Sequence, residues 1–171
     1  MKHIFLIGFM GSGKSTVARR MRNGYGFQLI EMDQAIEKEQ GMRISDIFQK
    51  YGEEYFRDLE TSYLKKIEQE EACVVSCGGG VALRMENVEI MQKCGMIVWL
   101  NASPQIILER VKRNDKRPLL RNRKTIEDIT AMMEARRPIY ENAAQLVVTI
   151  DGKESRDVAK EIVERIKEIG E

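Results

Sequence analysis

A chain of 171 residues is the size of one domain and can bury a core without disulfide or metal staples. With 43% hydrophobic and 32% charged residues it is not a disordered chain, and no apolar run nears the ~20 residues of a membrane span. Lys+Arg is 28 and Asp+Glu is 27, which argues against a dedicated nucleic-acid or membrane-surface protein, since these carry a basic surplus, though not against a local basic patch.

The opening Met1-Lys2-His3-Ile4-Phe5-Leu6-Ile7-Gly8 is too short for a secretory h-region, so a cytoplasmic protein is expected, with no nucleic-acid or membrane partner. One histidine, His3, ahead of the first strand, leaves no HExxH, Cys/His zinc or Ser-His-Asp arrangement. Cys73, Cys77 and Cys94 are an odd number and read as reduced thiols that fill space.

Five short apolar runs read as strands: residues 4–8, 28–32, 73–77, 96–100 and 146–150. Helical patterns lie between them, at 14–23, 44–51, 53–70, 85–93, 103–114 and 125–136. A last helix covers 156–169, with Ser155 as its N-cap. This alternation predicts a three-layer α/β sandwich. Its sheet is parallel, and ligands bind outside the carboxyl ends of its strands.

The first strand runs into Gly8-Phe9-Met10-Gly11-Ser12-Gly13-Lys14-Ser15-Thr16, which matches G-x-x-x-x-G-K-[ST] between a strand and a helix. Such a loop turns successive N–H groups onto phosphate oxygens, and the helix adds its positive end. Gly11, Ser12, Gly13 and Thr16 are expected to line the nucleotide phosphates. Lys14 should reach the β- and γ-phosphates, and the Ser15 hydroxyl should ligate Mg²⁺.

The motifs of a GTPase switch are missing, and the third strand ends in glycine rather than a Walker-B carboxylate. Its end, Val75-Ser76-Cys77-Gly78-Gly79-Gly80, suits an anionic substrate held by main-chain N–H groups, although a plain turn would use the same residues. Glu31-Met32-Asp33 closes the second strand. The two carboxylates are expected on opposite sides of an extended chain. One would hold a water of the Mg²⁺ shell and the other would bond a substrate hydroxyl; an acidic N-cap is the alternative for Asp33. Arg57 and Glu60, at i,i+3, form either a surface pair or an arginine aimed by Glu60 at a substrate carboxylate. The basic stretch 112–124 is either solvated or a mobile lid whose Arg117 covers the transferring phosphoryl group.

Taken together, these motifs resemble the shikimate kinase family, from Ile4 to about Val163. The resemblance rests on the phosphate loop, Asp33-Gln34-Ala35-Ile36-Glu37, Gly52-Glu53 with Phe56-Arg57 and Glu60, and Gly78–Gly80. It is completed by Arg117-Pro118-Leu119-Leu120 and Arg136-Arg137-Pro138-Ile139-Tyr140. It implies a five-stranded parallel sheet of order 2-3-1-4-5 and the P-loop kinase fold. It also implies a single domain over 1–171, with an acceptor segment at 33–62 and a lid at 112–124.

The implied reaction is transfer of the γ-phosphoryl group of ATP, with Mg²⁺, to the 3-hydroxyl of shikimate by a monomer. By position, Asp33 looks like the residue that binds the hydroxyls and acts as base. Arg57, Arg136 and Gly78, Gly79 and Gly80 look like the holders of the ring and its carboxylate. Arg117 looks like the lid arginine, Arg110 like the one stacked on adenine, and Ser155 falls on the far side of the adenine pocket. Two departures stand out: Glu31 replaces the usual aspartate, and Ser155 replaces a frequent proline. Within enzymes the rival is a gluconate or nucleoside monophosphate kinase; outside them it is an ATP-binding sensor.

Overall fold

Each strand read from the sequence is present in the computed structural model, which describes residues 3–113 and 125–170. In chain order the elements are β1 (His3–Ile7), α1 (Lys14–Tyr25), β2 (Gln28–Glu31), α2 (Met32–Gln40), α3 (Ile44–Tyr51) and α4 (Glu53–Ile67). These are followed by β3 (Cys73–Ser76), α5 (Met85–Cys94), β4 (Gly95–Asn101), α6 (Pro104–Arg113), α7 (Ile126–Ala143), β5 (Leu146–Thr149) and α8 (Ser155–Gly170). The five strands form one parallel sheet of order β2-β3-β1-β4-β5.

Because β1 lies mid-sheet, its side chains alternate between two cores. Ile4 and Leu6 face α1, α6 and α8, where they meet Val17, Met21, Ile107 and Ile162. Phe5 and Ile7 face the opposite layer, where they meet Met32, Ile36, Leu64, Val88 and Tyr140. Both faces of the central strands are therefore dry, which explains their unbroken apolar sequences. No helix among the described residues is long and apolar enough to cross a membrane.

Four local expectations change. His3 lies inside β1 and is buried, with Nδ1 3.2 Å from Cys73 Sγ. Met32, expected to end the second strand, instead opens α2, which runs to Gln40 over residues with no expected helix. Only Met32 and Ile36 of that helix are buried, so its apolar signal is short. The helix expected to end at residue 136 runs on to Ala143 through Pro138. Proline there removes one main-chain hydrogen bond. Burial of Tyr140 and Ala143, with the Tyr140 ring 5.6 Å from that of Trp99, holds the extra turns in place. Finally, Ser155 does not cap α8. The Glu154 carbonyl accepts from Asp157 N and Val158 N, while the Ser155 hydroxyl accepts from Arg20 Nε at 3.2 Å.

Candidate active site

The carboxyl ends of β1, β2 and β3 bring most of the expected residues together. The phosphate loop leaves β1 and turns at Gly13, which has φ +92° and so favours glycine. A Cβ there would also stand 3.0 Å from Arg110 Nη1. Lys14 is buried, and its Nζ donates to the Gly8 carbonyl at 2.7 Å and the Phe9 carbonyl at 3.2 Å. Arg110 Nη1 donates to the Gly11 carbonyl at 3.0 Å. Beside the loop is a cavity of about 650 Å³, whose wall includes Gly13, Thr16, Arg20, Arg110, Lys153 and Ser155. It is large enough for a mononucleotide and is rich in cations.

On the inner side, Ser15 Oγ lies 3.1 Å from Ser76 Oγ. In the β2–β3 register Ser76 pairs with Glu31, and side chains of paired residues share a face. Leu29 and Val74, two residues earlier, both pack on the α1 side. Two hydroxyls and a carboxylate thus gather at the start of α1, and Arg19 Nη1 holds Glu31 Oε1 at 3.0 Å. Hard oxygen donors of this kind fit Mg²⁺. Sequence reasoning missed Ser76 and Arg19, because a serine ending a buried strand and an arginine on an exposed helix face carry no motif.

Glu31 and Asp33 do separate, but not because of an extended chain. Residues i and i+2 of a strand share a face. The separation arises because the chain turns into α2 at Met32. Glu31 goes to Arg19, whereas Asp33 goes to the glycine loop after β3.

That loop is walled by side chains on every residue. A Cβ at Gly78 would lie 2.9 Å from both Asp33 Oδ1 and Glu60 Oε2. The Gly79 carbonyl accepts from Tyr140 Oη at 2.9 Å and from Arg136 Nη1 at 3.4 Å. A Cβ at Gly80 would lie 2.6 Å from Arg57 Cζ. Gly78 and Gly80 therefore admit neighbours that any side chain would displace. Arg136 also sits 5.3 Å above the Phe9 ring, which ties the loop to the phosphate site.

Arg57 and Glu60 are not a surface pair. Arg57 Nη1 donates to Glu60 Oε1 at 2.7 Å, and the Glu60 side chain is 1% exposed. Arg57 Nη2 also reaches Glu53 Oε1 at 3.1 Å. Burial pushes the Glu60 carboxyl up to about 7, against the lowering effect of the Arg57 guanidinium; Asp33 adds a further upward push. Arg117 lies outside the described residues, as does the basic segment 114–124.

A parallel sheet with a phosphate loop after its central strand, and a glycine loop walled by charged side chains beside it, is the architecture of a P-loop phosphotransferase. The family model for shikimate kinase matches residues 10–167. Shikimate kinase of Persephonella marina is 41% identical over 168 residues, covering 98% of this chain and 100% of that protein. That of Sulfurihydrogenibium sp. is 40% identical over 167 residues, covering 98% and 99%. Among solved structures, shikimate kinase from Acinetobacter baumannii in complex with shikimate matches with a TM-score of 0.91 and 31% identity. It covers 98% of this chain and 94% of that one. The chain belongs to the shikimate kinase family, ATP-dependent kinases that phosphorylate a hydroxyl of shikimate.

Proposed function

We propose that the acceptor site is the pocket around Gly78, Gly79 and Gly80, and that phosphate goes from ATP to the 3-hydroxyl of shikimate held there. The observation that carries this reading is the convergence of two guanidinium groups and a carboxylate on one loop. Arg57 stands against Gly80, Arg136 donates to Gly79, and Asp33 stands against Gly78. A small ring bearing one carboxylate and several hydroxyls is complementary to that set. The arginines take the carboxylate through paired hydrogen bonds. Asp33 accepts from ring hydroxyls, orients the attacking oxygen and takes its proton.

Gly11, Ser12, Gly13, Lys14 and Thr16 hold the phosphates, with Arg110 and Ser155 bordering the base. Lys14 neutralises charge on the transferred group, and Arg117 covers it from the lid segment 112–124. Ser15, with Glu31 acting through water, would hold Mg²⁺. When bound, the ion would offset phosphate charge. Catalysis in this scheme is mostly positioning in a pocket that excludes water. We further read the chain as a cytoplasmic monomer and a single domain with its acceptor segment at 33–62, and its near-balanced charge argues against nucleic-acid and membrane-surface partners.

The test is ADP release measured with shikimate, gluconate and AMP offered separately. Turnover is expected with shikimate alone, and should be lost in a folded Lys14→Met variant. Turnover on gluconate or AMP without shikimate would overturn the acceptor assignment. Nucleotide binding with no turnover on any acceptor would point to a sensor.

A further inference from the structure

A polar strut outside the acceptor pocket ties the glycine loop to the helix that carries Arg57. Asn87, on α5, is 1% exposed, yet both ends of its amide are engaged. Nδ2 donates to the Val81 carbonyl at 2.9 Å, one residue beyond Gly80. Oδ1 accepts from Thr61 Oγ1 at 2.7 Å, and Thr61 lies on α4, one helical turn after Arg57. The Thr61 hydroxyl has one proton. The shorter bond to Asn87 uses it in preference to the Arg57 carbonyl at 3.2 Å, and Thr61 Oγ1 accepts from Arg84 Nη1 at 3.1 Å. Arg84, at the start of α5, also pairs with Asp58 at 2.9 Å and Glu54 at 2.8 Å. The loop, α4 and α5 are thus joined by a network whose Asn87–Thr61 core is buried.

The strut matters because of what it holds apart. The Arg57 guanidinium packs so closely on Gly80 that the loop cannot advance, and the Glu60 bond stops Arg57 retreating. The remaining freedom is for the loop to slide away from α4, opening the gap between Gly80 and Arg57. The Asn87 amide opposes that movement directly through Val81.

We propose that Asn87, acting with Thr61, is a positioning residue for the acceptor. It sets the distance between the glycine loop and Arg57, and so the fit of the substrate carboxylate. This rests on the acceptor-site reading given above. A buried hydrogen-bonded amide is costly to leave half-paired, so the replacement must remove both bonds and keep the volume. Asn87→Leu removes both bonds with the same branching in a somewhat larger side chain, and Thr61→Val keeps the shape at position 61 while leaving Asn87 Oδ1 unpaired, a penalty that the melting temperature reads.

Steady-state kinetics with each substrate varied, together with thermal melting, make the test. Asn87→Leu and Thr61→Val should each raise the shikimate KM about five- to twentyfold, the scale of a lost buried hydrogen bond. The kcat and the ATP KM should stay within about twofold, since the phosphate loop is not engaged by the strut. Thr61→Ser, which keeps the hydroxyl, should restore the shikimate KM. The double variant should exceed neither single variant by much, because both break one connection.

A lowered melting temperature with an unchanged shikimate KM would overturn the proposal, as would parallel rises in both KM values. If Asn87→Leu does not fold, the Thr61→Val and Thr61→Ser pair decides by the same criteria. Arg57→Ala is measured alongside. If it leaves the shikimate KM unchanged, the acceptor site itself has been misplaced and the strut's role falls with it.

Discussion

The hydroxyls of Ser15 and Ser76 lie 3.1 Å apart, joining the first turn of α1 to the end of β3. Ser76 ends β3 with a hydroxyl, and Glu31, paired with it on β2, is the carboxylate beside it. Ser76→Ala should raise the Mg²⁺ concentration for half-maximal activity by about two- to fivefold, for one lost hydrogen bond. Glu31→Asp withdraws the carboxylate from Arg19 and should also shift the Mg²⁺ titration. Neither change should move the shikimate KM; movement there with an unchanged Mg²⁺ titration would mean the two acids have exchanged roles.

Arg57 and Gly80 occupy adjoining space, so each should be tested through the other. Arg57→Ala should raise the shikimate KM by about ten- to a hundredfold, the loss of a charged hydrogen-bonded pair. Arg57→Lys should recover little of it, since an ammonium lacks the planar fork. Gly80→Ala inserts a methyl 2.6 Å from Arg57 Cζ and should reproduce the Arg57→Ala defect in a folded protein. Wild-type shikimate affinity in Gly80→Ala would show that the guanidinium can move aside freely.

Glu60 gives a pH dependence with a definite sign. Its carboxyl is pushed up to about 7 in the folded chain, chiefly by burial, against an ordinary value of 4.5. The folded state therefore keeps a proton that the unfolded state releases. Its contribution to stability is complete below pH 4.5 and is lost as pH rises through 7. The loss is on the order of 2–3 kcal/mol. Denaturant midpoints between pH 4 and pH 8 should show this fall in the wild type and a flatter profile in Glu60→Gln. Parallel profiles would refute the assignment.

Tyr140 anchors the other side of the same loop, through Gly79. Tyr140→Phe keeps the ring beside Trp99 and removes only the hydroxyl. About 1 kcal/mol of stability should be lost, with a two- to fivefold rise in the shikimate KM. Chemical denaturation and the same kinetic assay check both values.

Much of this was legible in the chain. Strands buried on both faces have unbroken apolar runs, and a phosphate loop is a contiguous motif with a fixed backbone role. Arg57 and Gly78–Gly80 stand in local motifs, and Arg136 was named through the family resemblance; the fold brings all of them to one loop. Ser76, Arg19, Asn87 and Thr61 could not be placed, because each acts through a partner distant in sequence. Thr61 and Asn87 are ordinary polar helix residues until the fold sets their side chains 2.7 Å apart. The end of α7 was missed for a related reason: the burial of Tyr140 and Ala143 that carries the helix through Pro138 depends on partners distant in sequence.

The central sheet keeps two separate interiors. Val17, Met21 and Ile162 back the phosphate loop and nucleotide cavity on one face, and Leu64, Val88 and Met91 back the glycine loop on the other. Among the helices of the described residues, only α7 contributes to both, with Ile129 and Met133 on the first and Tyr140 and Ala143 on the second. Donor and acceptor preferences can therefore drift independently over generations. A repacking substitution on a helix behind one face leaves the packing of the other face in place, and among the described helices α7 is the one whose changes both faces must tolerate.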